Sequence, residues 1–254
     1  MRYLIANLKM NLISYEENIS YLTTLLDVAK RNRRVGVKTS LVICPSFPFL
    51  SLFQKKLPKR LFLGAQDVAF SERGAYTGYV PARSLADNGA SFVLIGHSES
   101  RRYGGDTNER ISEKIRLSVR NGLRPVLCVG ESAAERAAGQ TALVIRRQIS
   151  EALHDISSEE WTRGIIAYEP CWAIGTDHIP RSDDILEVSI AIRRTLVEIL
   201  DRTLAQSVPI LYGGSVNVER ISEVCLAPGL SGVLVGRESL LPEELLAMVS
   251  ALDA

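Results

Sequence analysis

Short runs dense in β-branched and aliphatic residues recur along the chain, separated by longer amphipathic stretches. They fall at Tyr3 to Leu8, Leu41 to Cys44, Leu61 to Ala65, Phe92 to Ile95, Val126 to Val129, Ile165 to Tyr168, Ile210 to Tyr212 and Val233 to Val235, a pattern that predicts eight strands. Most of these runs are apolar throughout instead of alternating. Such strands are covered on both faces, as in a parallel sheet with crossover helices, which disfavours an antiparallel sandwich. The stretches between them carry helical spacing: Ile19, Leu22, Leu25, Leu26 and Ala29 line one face, and Ile185, Val188, Ile192, Leu196 and Ile199 line another. Start signals agree, since Ser157-Ser158-Glu159-Glu160 fits a capping box and Pro242 suits the first turn ahead of Glu243-Glu244-Leu245.

Eight repeats of strand then helix in 254 residues, with no Pro/Gly/Ser linker and no low-complexity tract, predict an α/β fold. The expected architecture is one domain over residues 1–254, a single closed (β/α)8 barrel. A doubly wound open sheet would carry G-x-G-x-x-G after its first strand, whereas here that strand runs into Asn7-Leu8-Lys9-Met10-Asn11. A hydrophobic content of 46% supplies one large core, and 30 Lys+Arg against 29 Asp+Glu leave a formal charge of +1. Disorder is excluded, and so is the basic excess that drives binding to nucleic acid. No apolar stretch approaches the roughly 18 to 20 residues of a membrane span. Lys9 interrupts the short apolar run at the start, unlike a secretory signal, so a cytoplasmic location is expected. Cys44, Cys128, Cys171 and Cys225 are scattered singly, which predicts packed free thiols and neither a zinc site nor a disulfide framework.

Chemistry in such a barrel gathers at the C-terminal ends of the strands, where the following loops converge on one mouth. Those ends supply Asn7 and Lys9, Gly96-His97-Ser98-Glu99, Gly130-Glu131, Glu169-Pro170, Gly213-Gly214-Ser215 and Gly236-Arg237. His97 alone would more often be structural, but with Lys9 and Glu169 at equivalent ends it completes an acid–base set. Gly213, Gly214 and Gly236 offer backbone N–H groups without a Cβ in the way, which predicts a phosphorylated substrate. The segment from Ala173 to Pro180 is longer than the usual two to six residues of such a connection. It reads either as a lid that excludes water or as a plain surface loop.

These residues also carry a resemblance. Asn7-Leu8-Lys9-Met10-Asn11 resembles the N-W-K-M-N of triosephosphate isomerases, Gly96-His97-Ser98-Glu99 their G-H-S-E, and Leu211-Tyr212-Gly213-Gly214-Ser215-Val216 their Y-G-G-S-V. The stretch from Ala167 to Thr176 is similar to A-Y-E-P-V-W-A-I-G-T, and Gly74-Ala75-Tyr76-Thr77-Gly78 and Cys128-Val129-Gly130-Glu131 match as well. The resemblance runs in order from residue 3 to about residue 241. It implies the TIM barrel and the isomerisation of an aldose phosphate and a ketose phosphate through an enediolate, with no cofactor and no metal. Glu169 would be the base, with His97 and Lys9 polarising the substrate oxygens. That such a histidine works as the neutral imidazole at a helix start is a rule whose own type case is triosephosphate isomerase. Asn7 and Glu99 would support Lys9, and Ile174 and Leu234 would press on the base. Gly175, Ser215 and Gly236 would bind phosphate through N–H groups. The resemblance further implies a homodimer in which Thr77 reaches the neighbour's active site.

Departures from the family pattern bear on four places. Tyr79 and Ser100 replace a glutamate and an arginine near the dimer interface, and Asp106 shortens another glutamate, which predicts a weaker interface. Leu8 stands where the family has Trp. Asp177-His178-Ile179-Pro180 replaces a G-K hinge, where proline fixes φ, and Arg237 replaces the second glycine of the usual G-G, adding a cation beside the phosphate site. The I-P hinge and the G-R pair together resemble a smaller branch that isomerises four-carbon ketose phosphates such as erythrulose phosphate. A triose phosphate is the first expectation and a four-carbon sugar the alternative. A non-catalytic binding barrel ranks last, because Glu169, His97 and Lys9 are all present.

Overall fold

The computed structural model describes residues 1–31, 37–58, 61–173, 180–221, 224 and 229–253. The expectations for Ile174, Gly175, the segment Asp177 to Ile179 and Cys225 therefore lie outside the described residues. Eight strands, β1 (Arg2–Asn7), β2 (Thr39–Cys44), β3 (Leu61–Ala65), β4 (Phe92–Ile95), β5 (Arg124–Val129), β6 (Ile165–Tyr168), β7 (Ile210–Gly213) and β8 (Gly232–Val235), pair in parallel around a closed barrel in chain order. Each predicted run falls within two residues of its strand at both ends.

The strands are apolar throughout because each separates two cores. Tyr3, Ile5, Val42, Phe92, Leu94, Val126, Ile165, Ala167 and Leu211 form one buried cluster. The alternate residues, such as Leu4, Ala6, Leu41 and Ile43, join the other, which the helices cover. Those helices are α1 (Tyr15–Arg31), α2 (Leu50–Gln54), α3 (Ala82–Asp87), α4 (Ser98–Tyr103), α5 (Asn108–Arg120), α6 (Ala133–Ala137), α7 (Thr141–Ala152), α8 (Ser158–Trp161), α9 (Ser182–Ile199), α10 (Arg202–Ser207) and α11 (Pro242–Asp253). Among the described residues, no helix is long and apolar enough to cross a membrane.

Local signals place the helix starts. Ser157 Oγ accepts the Glu160 N–H while the Glu160 carboxylate accepts the Ser157 N–H, the predicted capping box, and Pro242 opens α11. The expected face of α9 needs one correction. Ile185, Val188, Ile192 and Leu196 are buried, but Ile199 is exposed. At that end the chain leaves the helix, and Leu200, in an extended conformation, takes the buried place instead. Of the cysteines, Cys44 and Cys128 are buried free thiols as expected, whereas Cys171 is exposed in the turn after β6.

Asp106 does not loosen its surroundings by being short. Its carboxylate lies 2.7 Å from Nζ of Lys114, a fully buried side chain that Asp67 also meets at 2.7 Å. Two carboxylates around one ammonium satisfy its charge inside the fold.

The barrel closes where β1 meets β8, with Tyr3 opposite Gly232. Gly232 has φ +144°, and a Cβ there would stand 1.8 Å from the Tyr3 carbonyl oxygen, so only glycine lets the seam close. We expect Gly232→Ala to lower the free energy of unfolding by more than about 3 kcal/mol. Urea denaturation of the two proteins checks this, and an unchanged midpoint would refute it.

Candidate active site

At the end of β1 the chain turns through Lys9, the one described non-glycine residue with positive φ, at 50°. A side chain in that region costs about 1 to 2 kcal/mol, so the surroundings must hold it. The Lys9 N–H donates to Asn7 Oδ1 at 3.0 Å, and its carbonyl accepts from Ser46 Oγ at 2.9 Å and Gln66 Nε2 at 2.8 Å. Its Nζ donates to Glu99 Oε1 at 2.6 Å. Ser46 and Gln66 were not among the expected site residues. Both follow strand ends, of β2 and β3, so the same rule that found Lys9 reaches them.

Gly96, at φ +71°, turns the chain from β4 into α4. His97 then caps that helix: its Nδ1 accepts the Glu99 N–H at 3.2 Å. A ring nitrogen that accepts carries no proton, so this imidazole is the neutral tautomer with its hydrogen on Nε2. Nε2 lies 3.3 Å from Oε1 of Glu169, whose other oxygen accepts the Ser98 N–H at 3.4 Å. Both side chains are more than nine-tenths buried.

Glycines shape the space around Glu169. A Cβ on Gly213 would meet its Cγ at 2.6 Å, and one on Gly130 would meet its carbonyl oxygen at 1.8 Å. Cys128 sits fully buried close by, where burial first and the Glu169 carboxylate second push its thiol well up and keep it neutral. Next to β6, buried Glu131 accepts hydrogen bonds from Tyr168 Oη at 3.1 Å and Trp172 Nε1 at 2.8 Å.

Asn7, Lys9, His97 and Glu169 line one side of a hollow of about 220 Å³ at the barrel mouth. Gly214, Ser215, Leu234, Gly236 and Arg237 line the other, so the structure brings together every described residue expected at the substrate. Glu99 stands behind Lys9. Thr77 does not join the hollow; it lies in an exposed stretch, residues 72–79.

Fold and site together define an acid–base enzyme built on a (β/α)8 barrel. The family model described as triosephosphate isomerase matches residues 2–252. A triosephosphate isomerase of Xanthomonas campestris pv. campestris is 42% identical over 84% of this chain and 85% of its own length. Those of Dictyoglomus thermophilum and Carboxydothermus hydrogenoformans are 42% and 40% identical over 80% and 92% of this chain, covering 82% and 92% of theirs. The chain belongs to the triosephosphate isomerase family.

The contact between Gly213 and Glu169 is testable. Gly213→Ala should force the carboxylate off the Ser98 N–H and lower kcat/KM by about 10²-fold in folded protein, the scale of a misplaced reacting group. Steady-state assays checked by circular dichroism decide it, and unchanged kcat/KM would count against this packing.

Proposed function

We propose that the protein interconverts glyceraldehyde 3-phosphate and dihydroxyacetone phosphate by moving a proton between adjacent carbons through an enediolate. The observation that carries this is the convergence of Glu169, His97 and Lys9 on one hollow, with His97 Nε2 3.3 Å from Glu169 Oε1. His97 Nε2 and the Ser98 N–H both face the carboxylate. A substrate oxygen accepts a hydrogen bond from the Nε2–H, and the carboxylate takes the proton from the carbon beside the carbonyl. Charge then develops on oxygens that His97 and Lys9 face, while Glu99 keeps the ammonium in place. The hydroxyl proton passes from one substrate oxygen to the other through His97 Nε2, and the carboxyl returns its proton to the neighbouring carbon, which completes the exchange of carbonyl and hydroxyl. Ser215 and Gly236 receive the phosphate through backbone N–H groups, Asn7 supports Lys9, and Leu234 presents an apolar wall to the base. The corresponding roles of Ile174 and Gly175 rest on the family resemblance.

A second reading, a four-carbon ketose phosphate, draws on one observation: Arg237, not glycine, lines the hollow next to Gly236. One extra carbon is worth only about 1 to 3 kcal/mol of discrimination, so the two substrates are separated by assay. With glyceraldehyde 3-phosphate and erythrulose phosphate side by side, the triose should have the higher kcat/KM. Preference for the four-carbon sugar selects the second reading, and activity on neither refutes both. Glu169→Ala should stay folded and lose about 10²- to 10⁴-fold in turnover; undiminished turnover would remove Glu169 from the mechanism.

We further assign the enzyme to the cytoplasm as a homodimer. Buried free thiols at Cys44 and Cys128 suit a reducing compartment. The loop with Thr77 stands on an aromatic cluster in which the Phe70 ring meets Tyr76 at 5.0 Å and Tyr79 at 5.3 Å. Met10 and Ile13, beside the site, are 82% and 75% exposed, an apolar surface suited to a second copy. Tyr79 contributes an aromatic contact where the family has a charge. Sedimentation at low micromolar concentration should give a dimer, and a fully active monomer would overturn the role assigned to Thr77.

A further inference from the structure

The turn that carries Glu169 is held from one side by an arginine outside the substrate hollow. After Glu169, residues Pro170 to Ala173 form a tight turn in which the Ala173 N–H donates to the Pro170 carbonyl at 2.8 Å and the Cys171 N–H to the Glu131 carbonyl at 3.1 Å. Glu131 is fully buried. Its Oε1 accepts from Tyr168 and Trp172, and its Oε2 has no hydrogen-bond partner among the described residues. A buried carboxylate so placed is costly unless a cation stands near it.

Arg136, on α6, is that cation. Its Nη1 lies 3.7 Å from Glu131 Oε1, its guanidinium stacks 4.5 Å from the centre of the Trp172 ring, and its Nη2 lies 3.3 Å from Oδ1 of Asp184 in the first turn of α9. One planar group thus compensates the buried charge, covers the indole and reaches α9.

We propose that Arg136 is a positioning residue for the isomerisation: by clamping Trp172 and Glu131 to α9 it fixes the turn that aims Glu169. This rests on the reading of Glu169 as the base. Trp172 is three residues beyond Glu169, and the Cys171 N–H hangs on the Glu131 carbonyl, so movement of either is carried to the reacting carboxylate. Arg136 does not line the substrate hollow, so its loss acts on kcat and spares KM. A lysine keeps the charge but neither the planar stack nor the fork that bridges two carboxylates.

The test uses Arg136→Met, Arg136→Lys, Asp184→Asn and Glu169→Gln in the full chain. Only two tryptophans are present, Trp161 and Trp172, and Trp161 is fully buried on α8. Difference spectra against Trp172→Phe therefore report Trp172. Arg136→Met should lower kcat about 10- to 100-fold with KM within about threefold of wild type, and should move the Trp172 emission. Arg136→Lys should recover only a minor part of kcat. Asp184→Asn, which leaves the cation beside Glu131, should lower kcat about two- to fivefold and cost less in the Arg136→Met background than alone. A folded Arg136→Met with kcat within about twofold of wild type, or a fallen kcat with unmoved Trp172 emission, overturns the proposal. Should Arg136→Met fail to fold, Asp184→Asn decides it, a fall in kcat supporting the proposal and an unchanged kcat overturning it. Glu169→Gln run alongside must lose about 10²- to 10⁴-fold in turnover. Undiminished turnover there overturns the assignment of the base itself, a failure distinct from unchanged kcat in the Arg136 variants.

Discussion

The pairing of β1 with β8 decides where every group of the site stands. With Ile5 opposite Leu234 and Ala6 opposite Val235, the ends of the first and last strands lie side by side, and the position of a Cβ on Gly236 comes within 3.4 Å of Lys9 Cε. Because all eight pairings are parallel, closing this seam also brings the other strand ends to the same mouth. Further bonds lock it: Ser239 Oγ donates to the Asn7 carbonyl at 3.3 Å, and Tyr21 Oη donates to the Ser239 carbonyl at 2.8 Å. A residue from the start of the chain and one from near its end can therefore face the same substrate.

Within the mouth, hydrogen bonds fix the proton inventory before any substrate arrives. Glu99 carries two duties, one from its backbone and one from its side chain. Its backbone N–H occupies His97 Nδ1, and its carboxylate holds Lys9 Nζ at 2.6 Å. The first leaves the imidazole hydrogen on Nε2, toward the hollow; the second fixes the ammonium at the edge of the same hollow. The left-handed backbone at Lys9 belongs to the same design, since three hydrogen bonds to its main chain hold a conformation that isolated lysine disfavours.

Much of this was legible in sequence because it depends on local rules. Unbroken apolar runs marked strands buried on both faces, and the residues just beyond them were the site. The rule reached Lys9, His97, Glu169 and Gly236, and it reaches Ser46 and Gln66 once the ends of β2 and β3 are read in the same way. Ile199 was misjudged because periodicity does not say where a helix stops touching its support, and there Leu200 replaces it. The link between Arg136, Trp172 and Asp184 was not legible. It joins three elements whose spacing in sequence has no period, and an arginine in a short helix reads as a solvated surface charge until the fold sets an indole beneath it.

Two buried glutamates on neighbouring strand ends show how the same side chain is put to different use. Glu131 is pinned by a phenol, an indole N–H and a nearby guanidinium, each of which restricts its motion. The Glu169 carboxylate accepts a long hydrogen bond from the Ser98 N–H at one oxygen and has its other oxygen 3.3 Å from His97 Nε2. A carboxylate that must accept a proton from carbon and hand it back needs weak partners it can leave, and glycines at 130 and 213 keep side chains out of the space it occupies. The firmly bound glutamate fixes the turn, and the loosely bound one is left free to act.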